Sequence, residues 1–135
     1  MSIDRFNNMN RARAISPISP AVTGTITGQV IDTAGFRSNT FVIEAGLQTT
    51  TSITVTPVVL SGSVTATLTS ASDDDLIGTE ADAVLSGTAG SNSVKGIGYT
   101  GTNRYIRIDL IVLNAASGVY SAVCVQEDAV KAPVA

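Results

Sequence analysis

Residues 103–113 read Asn-Arg-Tyr-Ile-Arg-Ile-Asp-Leu-Ile-Val-Leu and carry the strongest secondary-structure signal of the chain. Aliphatic side chains recur at every second position and share one face of an extended chain, at Ile106, Ile108, Leu110 and Val112. The opposite face begins with Tyr105, Arg107 and Asp109. This alternation predicts a central, amphipathic β-strand.

The same period of two recurs on both sides of this strand. Alternating runs occupy residues 39–44, 53–59 and 64–69, and no stretch of twelve residues keeps a helical period. In residues 119–126 both faces are apolar, which favours a strand in the middle of a sheet or against a partner. Seven or eight short strands with Gly-rich turns are typical of a β-sandwich, jelly roll or small barrel. We therefore predict an all-β, jelly-roll-like β-sandwich.

Glycine and proline indicate where the strands turn or end. Ser61-Gly62 predicts a two-residue hairpin turn, because Gly tolerates the positive φ that such a turn requires. Pro57 lacks the N–H of a ladder, so its strand is expected to be an edge strand or to bulge there. Gly96, Gly98 and Gly101 do not form a phosphate-binding fingerprint, because no helix follows whose N-terminus could receive the phosphate. These glycines instead favour a tight β-turn.

Length favours a single domain, and composition favours an aliphatic core. The chain has 135 residues, of which 44% are hydrophobic but only 4% aromatic, so Val, Ile, Leu and Ala must build the interior. No apolar run approaches the ~20 residues of a membrane helix. Charged residues are replaced largely by Thr and Ser mixed with aliphatics, which favours a folded β-protein over a disordered one.

The counts of histidine, cysteine and charge exclude several classes of function. With no His, the chain lacks Ser-His and Cys-His nucleophiles and His-ligated zinc, so we expect no enzyme and no cofactor. A single Cys excludes an intrachain disulfide, and a net charge of -3 argues against general nucleic-acid binding. The first five residues lack the apolar segment of a secretory signal, so synthesis in a cytosol is expected.

Residues 1–20 differ from residues 21–135 in charge and composition. The first segment has three Arg against one Asp, a net charge of +2, whereas the rest has five basic and ten acidic residues, a net charge of -5. Pro17 and Pro20 close the segment. We predict an extended basic arm, which either frays in solvent or orders on a neighbouring subunit.

Three further features have a structural and a functional interpretation. The triplet Asp73 to Asp75 carries the carboxylates that Ca²⁺ prefers, but it lacks the alternating spacing of a calcium loop, so a solvated turn is favoured. Arg104 and Arg107 are expected to pair with Asp109 or with carboxylates of a neighbouring subunit. Cys124 is expected to be a small core residue, with pairing to another chain as the alternative.

Five segments resemble blocks of small structural proteins encoded in tailed-phage and prophage head gene clusters, the capsid decoration or cement proteins. They are Asp-Thr-Ala-Gly-Phe at 32–36, Asp-Leu-Ile-Gly-Thr-Glu-Ala at 75–81, Lys-Gly-Ile-Gly-Tyr-Thr-Gly-Thr-Asn-Arg-Tyr-Ile-Arg-Ile at 95–108, Ser-Ala-Val-Cys-Val at 121–125 and Ala-Pro-Val at 132–134. The resemblance runs from about residue 28 to the C-terminus, and residues 98–107 are its most specific part.

The resemblance implies a jelly-roll-like domain on the outside of an icosahedral head, made in the bacterial cytoplasm and bound to the major capsid protein. It implies self-association, with a trimer favoured, and no nucleic-acid, membrane or small-molecule partner. The residues that we expect at capsid or subunit contacts are Arg5, Arg11, Arg13, Tyr99, Arg104, Tyr105 and Arg107. Cys124 is the candidate for an intermolecular thiol, and deletion of residues 1–16 is expected to weaken capsid occupancy while the body stays folded.

Other classes of protein remain open from the sequence. A head-tail connector, tail-tube subunit or fibre base would use the same strand-rich chain. A carbohydrate-binding module is disfavoured, because three Tyr, three Phe and no Trp make a poor stacking surface. A hydrolase that uses only carboxylates is formally allowed, but no residues mark its pocket.

Overall fold

The computed structural model describes residues 5–20, 22–114 and 118–130. Its strands are β1 (Asn10–Ile18), β2 (Gly24–Ile26), β3 (Ile31–Asp32), β4 (Phe36–Ala45), β5 (Thr54–Val64), β6 (Thr67–Ser70), β7 (Leu76–Ile77), β8 (Leu85–Ser86), β9 (Val94–Tyr99), β10 (Tyr105–Leu113) and β11 (Tyr120–Ala129). Three single-turn 3₁₀ helices lie at Phe6–Asn8, Asp73–Asp75 and Gly87–Gly90. In the described part of the chain no helix is long and apolar enough to cross a membrane.

Two antiparallel sheets form a β-sandwich, which confirms the predicted fold class. The first sheet has the spatial order β1-β11-β4-β9-β7, and the second has the order β2-β10-β5-β6. The short strands β3 and β8 add to the second sheet by pairing with β10 and β5. Neighbours in each sheet are mostly distant in sequence, so long-range pairing defines the domain.

The prediction of a central strand at residues 103–113 is confirmed by β10. This strand pairs with β5 on one side and with β2 and β3 on the other. Its four aliphatic residues at 106, 108, 110 and 112 are fully buried. They pack between the sheets against Phe41 and Ile43 of β4, whose alternation was also predicted. The interior is mainly aliphatic, as the composition requires.

The N-terminal segment contains a strand of the sandwich. Residues 10–18 pair with β11 at one edge of the first sheet, and Ala14 and Ile15 are buried in the core. The register shifts between Arg13 and Ile15, so two consecutive side chains point inward. This is a correction to the expected arm: the segment is extended, but about half of it belongs to the body of the domain.

The hairpin after β5 turns later than predicted. Ser61 and Gly62 lie within β5, and the turn falls at residues 65–66. A Cβ on Gly62 would collide with the carbonyl oxygen of Thr67, and the β5–β6 register shifts between Ser61 and Val64. Gly62 therefore permits close strand approach at a bulge, which is a second role that glycine has in strands.

Pro57 is tolerated because β5 has no strand neighbour on one side at that point. β5 pairs with β10 along its length, whereas β8 pairs only with residues 54–55 and β6 only with residues 60–64 on the opposite side. The N–H of Val59 points into this gap and donates to Glu80 Oε1 at 2.7 Å. Backbone nitrogens two residues apart in a strand point to the same side, so the nitrogen of Pro57 faces the same gap as that of Val59. The missing N–H of Pro57 therefore removes no hydrogen bond of the ladder.

Two other sequence expectations are corrected. Gly96 and Gly98 lie inside β9 and not in a turn, because their strand continues the alternation that buries Ile97. β11 is a mid-sheet strand, as expected, but only one of its faces is buried. Its other face leaves Val119 and Val123 exposed.

Candidate functional site

The residues predicted for contacts do not form one site. Arg104 and Tyr105 lie where β10 begins, and Arg107 lies on the outer face of the second sheet. Arg11 and Arg13 lie on the outer side of β1 in the first sheet. Arg5 precedes the first strand and is exposed. Tyr99 and Cys124 are buried.

Arg104 forms an exposed ion pair at the entry to β10. Its Nε donates to Asp32 Oδ1 at 3.0 Å and its Nη2 to Asp32 Oδ2 at 2.9 Å. The antiparallel pairing of Tyr105 with Asp32 brings the two side chains together. These hydrogen bonds hold the pKa of Asp32 below its usual value and raise the pKa of Arg104. The guanidinium also lies 5.2 Å from the centre of the Tyr105 ring, so this patch is polar and preorganised.

Arg107 pairs with Asp109 within β10, which confirms that expectation. The two residues are i and i+2 on one strand face, and Arg107 Nη2 donates to Asp109 Oδ2 at 2.9 Å. Asp109 Oδ1 accepts from the backbone N–H of Gly28 at 3.0 Å. A Cβ on Gly28 would collide with the carbonyl oxygen of Ile108. The hydrogen bond from the Gly28 N–H to Asp109 therefore holds residues 27–29 against β10. This structural role of Gly28 could not be predicted from the sequence.

Tyr99 is a core residue, which corrects its expected place on a polar face. Its side chain is 3% exposed, in phase with the buried Ile97. The phenolic oxygen accepts a hydrogen bond from the backbone N–H of Asn103 at 3.2 Å. This contact satisfies the hydroxyl inside the domain and leaves Tyr99 unable to touch a partner.

Cys124 is also a core residue, and the intermolecular thiol is corrected accordingly. It is fully buried in β11, directly opposite Ala12 of β1. Burial raises the pKa of the thiol to about 12, so the reactive thiolate is scarce near neutral pH. The interpretation of Cys124 as a small core residue is confirmed.

The N-terminal arginines are exposed at one edge of the first sheet. Arg5 Nη1 lies 3.2 Å from Glu127 Oε1, and the Arg11 guanidinium lies 4.8 Å from the centre of the Phe6 ring. Arg13 is opposite Val123 and has no ion-pair partner within the described part of the chain. The expected deletion of residues 1–16 would also remove Ala14 and Ile15 from the core, so it does not isolate the arginines.

The apolar outer face of the first sheet is a candidate site that the sequence did not predict. Outward-pointing side chains of neighbouring strands line up there, and we call this set the outer valine face: Val42, Val123, Val125, Val94 and Ile77, with Gly96 and Gly98 between them. Val94 and Ile77 are 64% and 65% exposed, and Val123 is 38% exposed. The signal in the sequence was the second apolar face of residues 119–126. Thr40 and Glu44 of β4 share this face with the apolar side chains. Exposed apolar side chains grouped in this way are typical of an interaction surface.

The acidic turn offers no metal site in the described residues, where no group of three His, Cys, Asp or Glu side chains could hold an ion. Asp73 to Asp75 form a 3₁₀ turn, and the N–H of Asp74 donates to Ser72 Oγ at 3.4 Å. A shallow pocket of about 410 Å³ is lined by Asp73, Gly78, Thr79, Glu80 and Ala81. Because Glu80 already accepts the N–H of Val59, this loop closes the open edge of β5.

Several known structures are similar to this chain at low sequence identity. A chain of the cyanophage Pam1 capsid asymmetric unit is 16% identical, with 89% of this chain and 84% of that chain covered and a TM-score of 0.51. A chain of infectious bursal disease virus, Gx strain, is 8% identical with a TM-score of 0.50; 93% of this chain is covered, but it spans only 34% of that one. The SPBc2 prophage-derived protein YomS is 14% identical, with 90% and 94% covered and a TM-score of 0.42.

The sequence matches no protein-family model, and no curated protein matches it. At these identities the structural similarity concerns the fold alone: a β-sandwich that also occurs in a phage capsid and in a virus particle.

Proposed function

We propose that this chain is a structural protein of a phage virion and, within that class, a decoration protein that binds the outer surface of the head and stabilises the lattice of the major capsid protein. The observation that carries the proposal is the outer valine face, an exposed and largely apolar surface on an antiparallel sandwich, because exposed apolar surfaces are used for assembly. Its fold is that of a chain in the Pam1 capsid. Binding surfaces, and not a catalytic pocket, are the features that stand out in the described residues.

The mechanism requires only differential binding. A protein that binds the mature shell and not the precursor stabilises the mature shell by mass action. Contacts made by several linked copies add through effective concentration, so each contact can be weak. In this mechanism Arg5 and Arg11 contact acidic capsid surface, and the Arg104–Tyr105 patch contacts a neighbouring subunit.

Co-sedimentation with undecorated capsids tests this function. Purified protein is mixed with mature shells and with unexpanded precursor shells, and bound protein is quantified against the major capsid protein. Saturable binding of hundreds of copies to mature shells is expected. Binding of six or twelve copies would instead favour a connector or tail component, and no binding to either shell would overturn the decoration role.

The arginine contribution is tested by charge removal that spares the core. The double variant Arg5→Ser/Arg11→Ser is expected to bind about 3- to 10-fold more weakly, the effect of losing two exposed ion pairs. The double variant Arg37→Ser/Lys95→Ser removes the same charge elsewhere and should bind normally. Equal weakening in both variants would mean that only net charge matters, and would contradict a specific contact at the N-terminal edge.

A further inference from the structure

The outer valine face has room for side chains of another molecule. At Gly96 an added Cβ would find only the carbonyl oxygen of Phe41, at 3.7 Å, so this position is open to the outside. Val42 lies beside Gly96 in the neighbouring strand. The result is a shallow depression in an apolar sheet surface, into which a facing aliphatic side chain can pack. Two sheets that pack in this way lie about 10 Å apart.

Two charged side chains of opposite sign lie on the same outer surface of the first sheet. Arg13 points outward from β1 opposite Val123, and Glu44 points outward from β4 opposite Ser121. Neither has an ion-pair partner among the residues that the structure describes. Since β11 lies between β1 and β4, the midpoint between the two charges falls on β11, between Val123 and Ser121.

This placement is self-complementary. A two-fold axis parallel to the face exchanges the two positions. This axis passes through the midpoint and is perpendicular to the line from Arg13 to Glu44. A second copy related by this axis would place its glutamate over the first copy's arginine, and its arginine over the first copy's glutamate. Val123, which is close to the axis, would meet its own equivalent. An interface of this kind, in which one patch binds itself, is the commonest arrangement in homo-oligomers.

We propose that the outer valine face binds a second copy of this chain, with the two sheets packed face to face about a two-fold axis on β11 and Arg13 of each copy paired with Glu44 of the other. The apolar centre supplies the area that leaves water, and the two ion pairs fix the orientation. In the dimer the outer valine face lies between the two copies, so contacts with the head are left to other exposed residues such as Arg5. The test below uses purified protein without capsids, so its outcome is separate from that of the virion role. When the same face of both copies forms the contact, the assembly is complete with two copies. The dimer therefore takes the place of the trimer that the resemblance implied.

The mass of the purified full chain in solution tests the proposal. Sedimentation velocity from micromolar to submillimolar concentration is expected to show a species of twice 13.8 kDa. Val123→Lys places a charge near the axis and should abolish the dimer. Val64→Lys is the matched control, because Val64 is 53% exposed at the end of β5 in the other sheet, and it should leave the dimer intact. Circular dichroism shows whether each variant is folded.

Charge reversal tests the orientation. Arg13→Glu and Glu44→Arg each set like charges against one another and should raise the dimer Kd at least about tenfold, while the double variant should restore it. A monomer throughout the concentration range, a trimer, or a dimer unaffected by Val123→Lys would overturn the proposal. A double variant weaker than either single one would overturn the Arg13–Glu44 pairing.

Discussion

The thiol of Cys124 lies between the two sheets of the sandwich, where water does not reach it. Burial raises its pKa to about 12. Near pH 8 only about one thiol in ten thousand would be ionised, and the thiolate is the nucleophile in disulfide exchange. A buried thiol of this kind behaves as a small apolar side chain.

We predict that Cys124 of the folded protein does not react with Ellman's reagent at pH 8, whereas one thiol per chain reacts in guanidinium. The folded state favours the protonated thiol, so its contribution to the free energy of unfolding is complete below the unfolded pKa and declines as pH rises from about 9 towards 12. Cys124→Ala should lack that part of the alkaline decline in urea titrations. Rapid, stoichiometric labelling of the folded protein would contradict the burial.

Polar residues buried inside the sandwich form a network that no single position in the sequence predicts. Gln126 is 2% exposed; its Nε2 donates to Asn39 Oδ1 and to the carbonyl oxygen of Asp32, both at 2.9 Å. Its Oε1 accepts from Asn10 Nδ2 at 2.8 Å. These residues are distant in sequence and have no shared local pattern, so only the fold identifies them as one network. Tyr99 was misplaced because the resemblance grouped it with Arg104, Tyr105 and Arg107 as a contact residue, whereas its phase with Ile97 sets its burial.

Among the long strands, β1 is the one that the sequence did not predict to belong to the sandwich. A period of two detects β4 and β10 because their core residues alternate without interruption. In β1 the bulge between Arg13 and Ile15 puts two neighbouring residues inside, which breaks the alternation. Two arginines and an asparagine further reduce the apolar signal. The same limit explains the displaced hairpin, since the bulge near Gly62 resembles a turn in sequence.

The position of Ala12 directly opposite Cys124 gives a test of where β1 pairs. We predict that Ala12→Cys, refolded from guanidinium in the presence of copper phenanthroline so that Cys124 is accessible during oxidation, forms a disulfide within one chain. The denatured product should then have no free thiol and migrate as a monomer on non-reducing gels. Neighbouring residues across an antiparallel pair have Cα atoms about 4.5–5.5 Å apart, within the range of a disulfide. Val64→Cys, whose side chain is on the other sheet, is the control and should form no intrachain bond. A covalent dimer from Ala12→Cys alone would mean that β1 occupies the β11 edge of a second copy.

For the whole molecule, the sequence was sufficient to predict a sandwich but not the order of its strands. Composition and alternation predicted the all-β class and the aliphatic interior. The pairs β1 with β11 and β2 with β10 join residues about a hundred and about eighty-five positions apart, and such pairing leaves no local mark. The outer valine face could likewise be predicted only in part. The sequence showed two apolar faces in residues 119–126, but the order of the strands in the sheet was needed to add Val42, Val94 and Ile77.

Truncations measure how far the domain depends on its first strand. Removing residues 1–8 should leave the melting temperature nearly unchanged, because it removes exposed contacts such as the Arg5–Glu127 pair. Removing residues 1–16 takes Ala14 and Ile15 from the core and should cost about 3 kcal/mol or more, which corresponds to a Tm lower by about 10 °C or more. Differential scanning calorimetry compares the two. Equal melting temperatures would show that β1 is an arm after all.

The adjacency of β1 and β11 also sets an order in time. The first strand leaves the ribosome early, but the edge it fills exists only after the last strand has been made. At about 5–20 residues per second, the hundred residues between them take about 5–20 s to synthesise. During that interval the N-terminal strand of a nascent chain is unpaired beside the finished domains of earlier chains on the same messenger RNA.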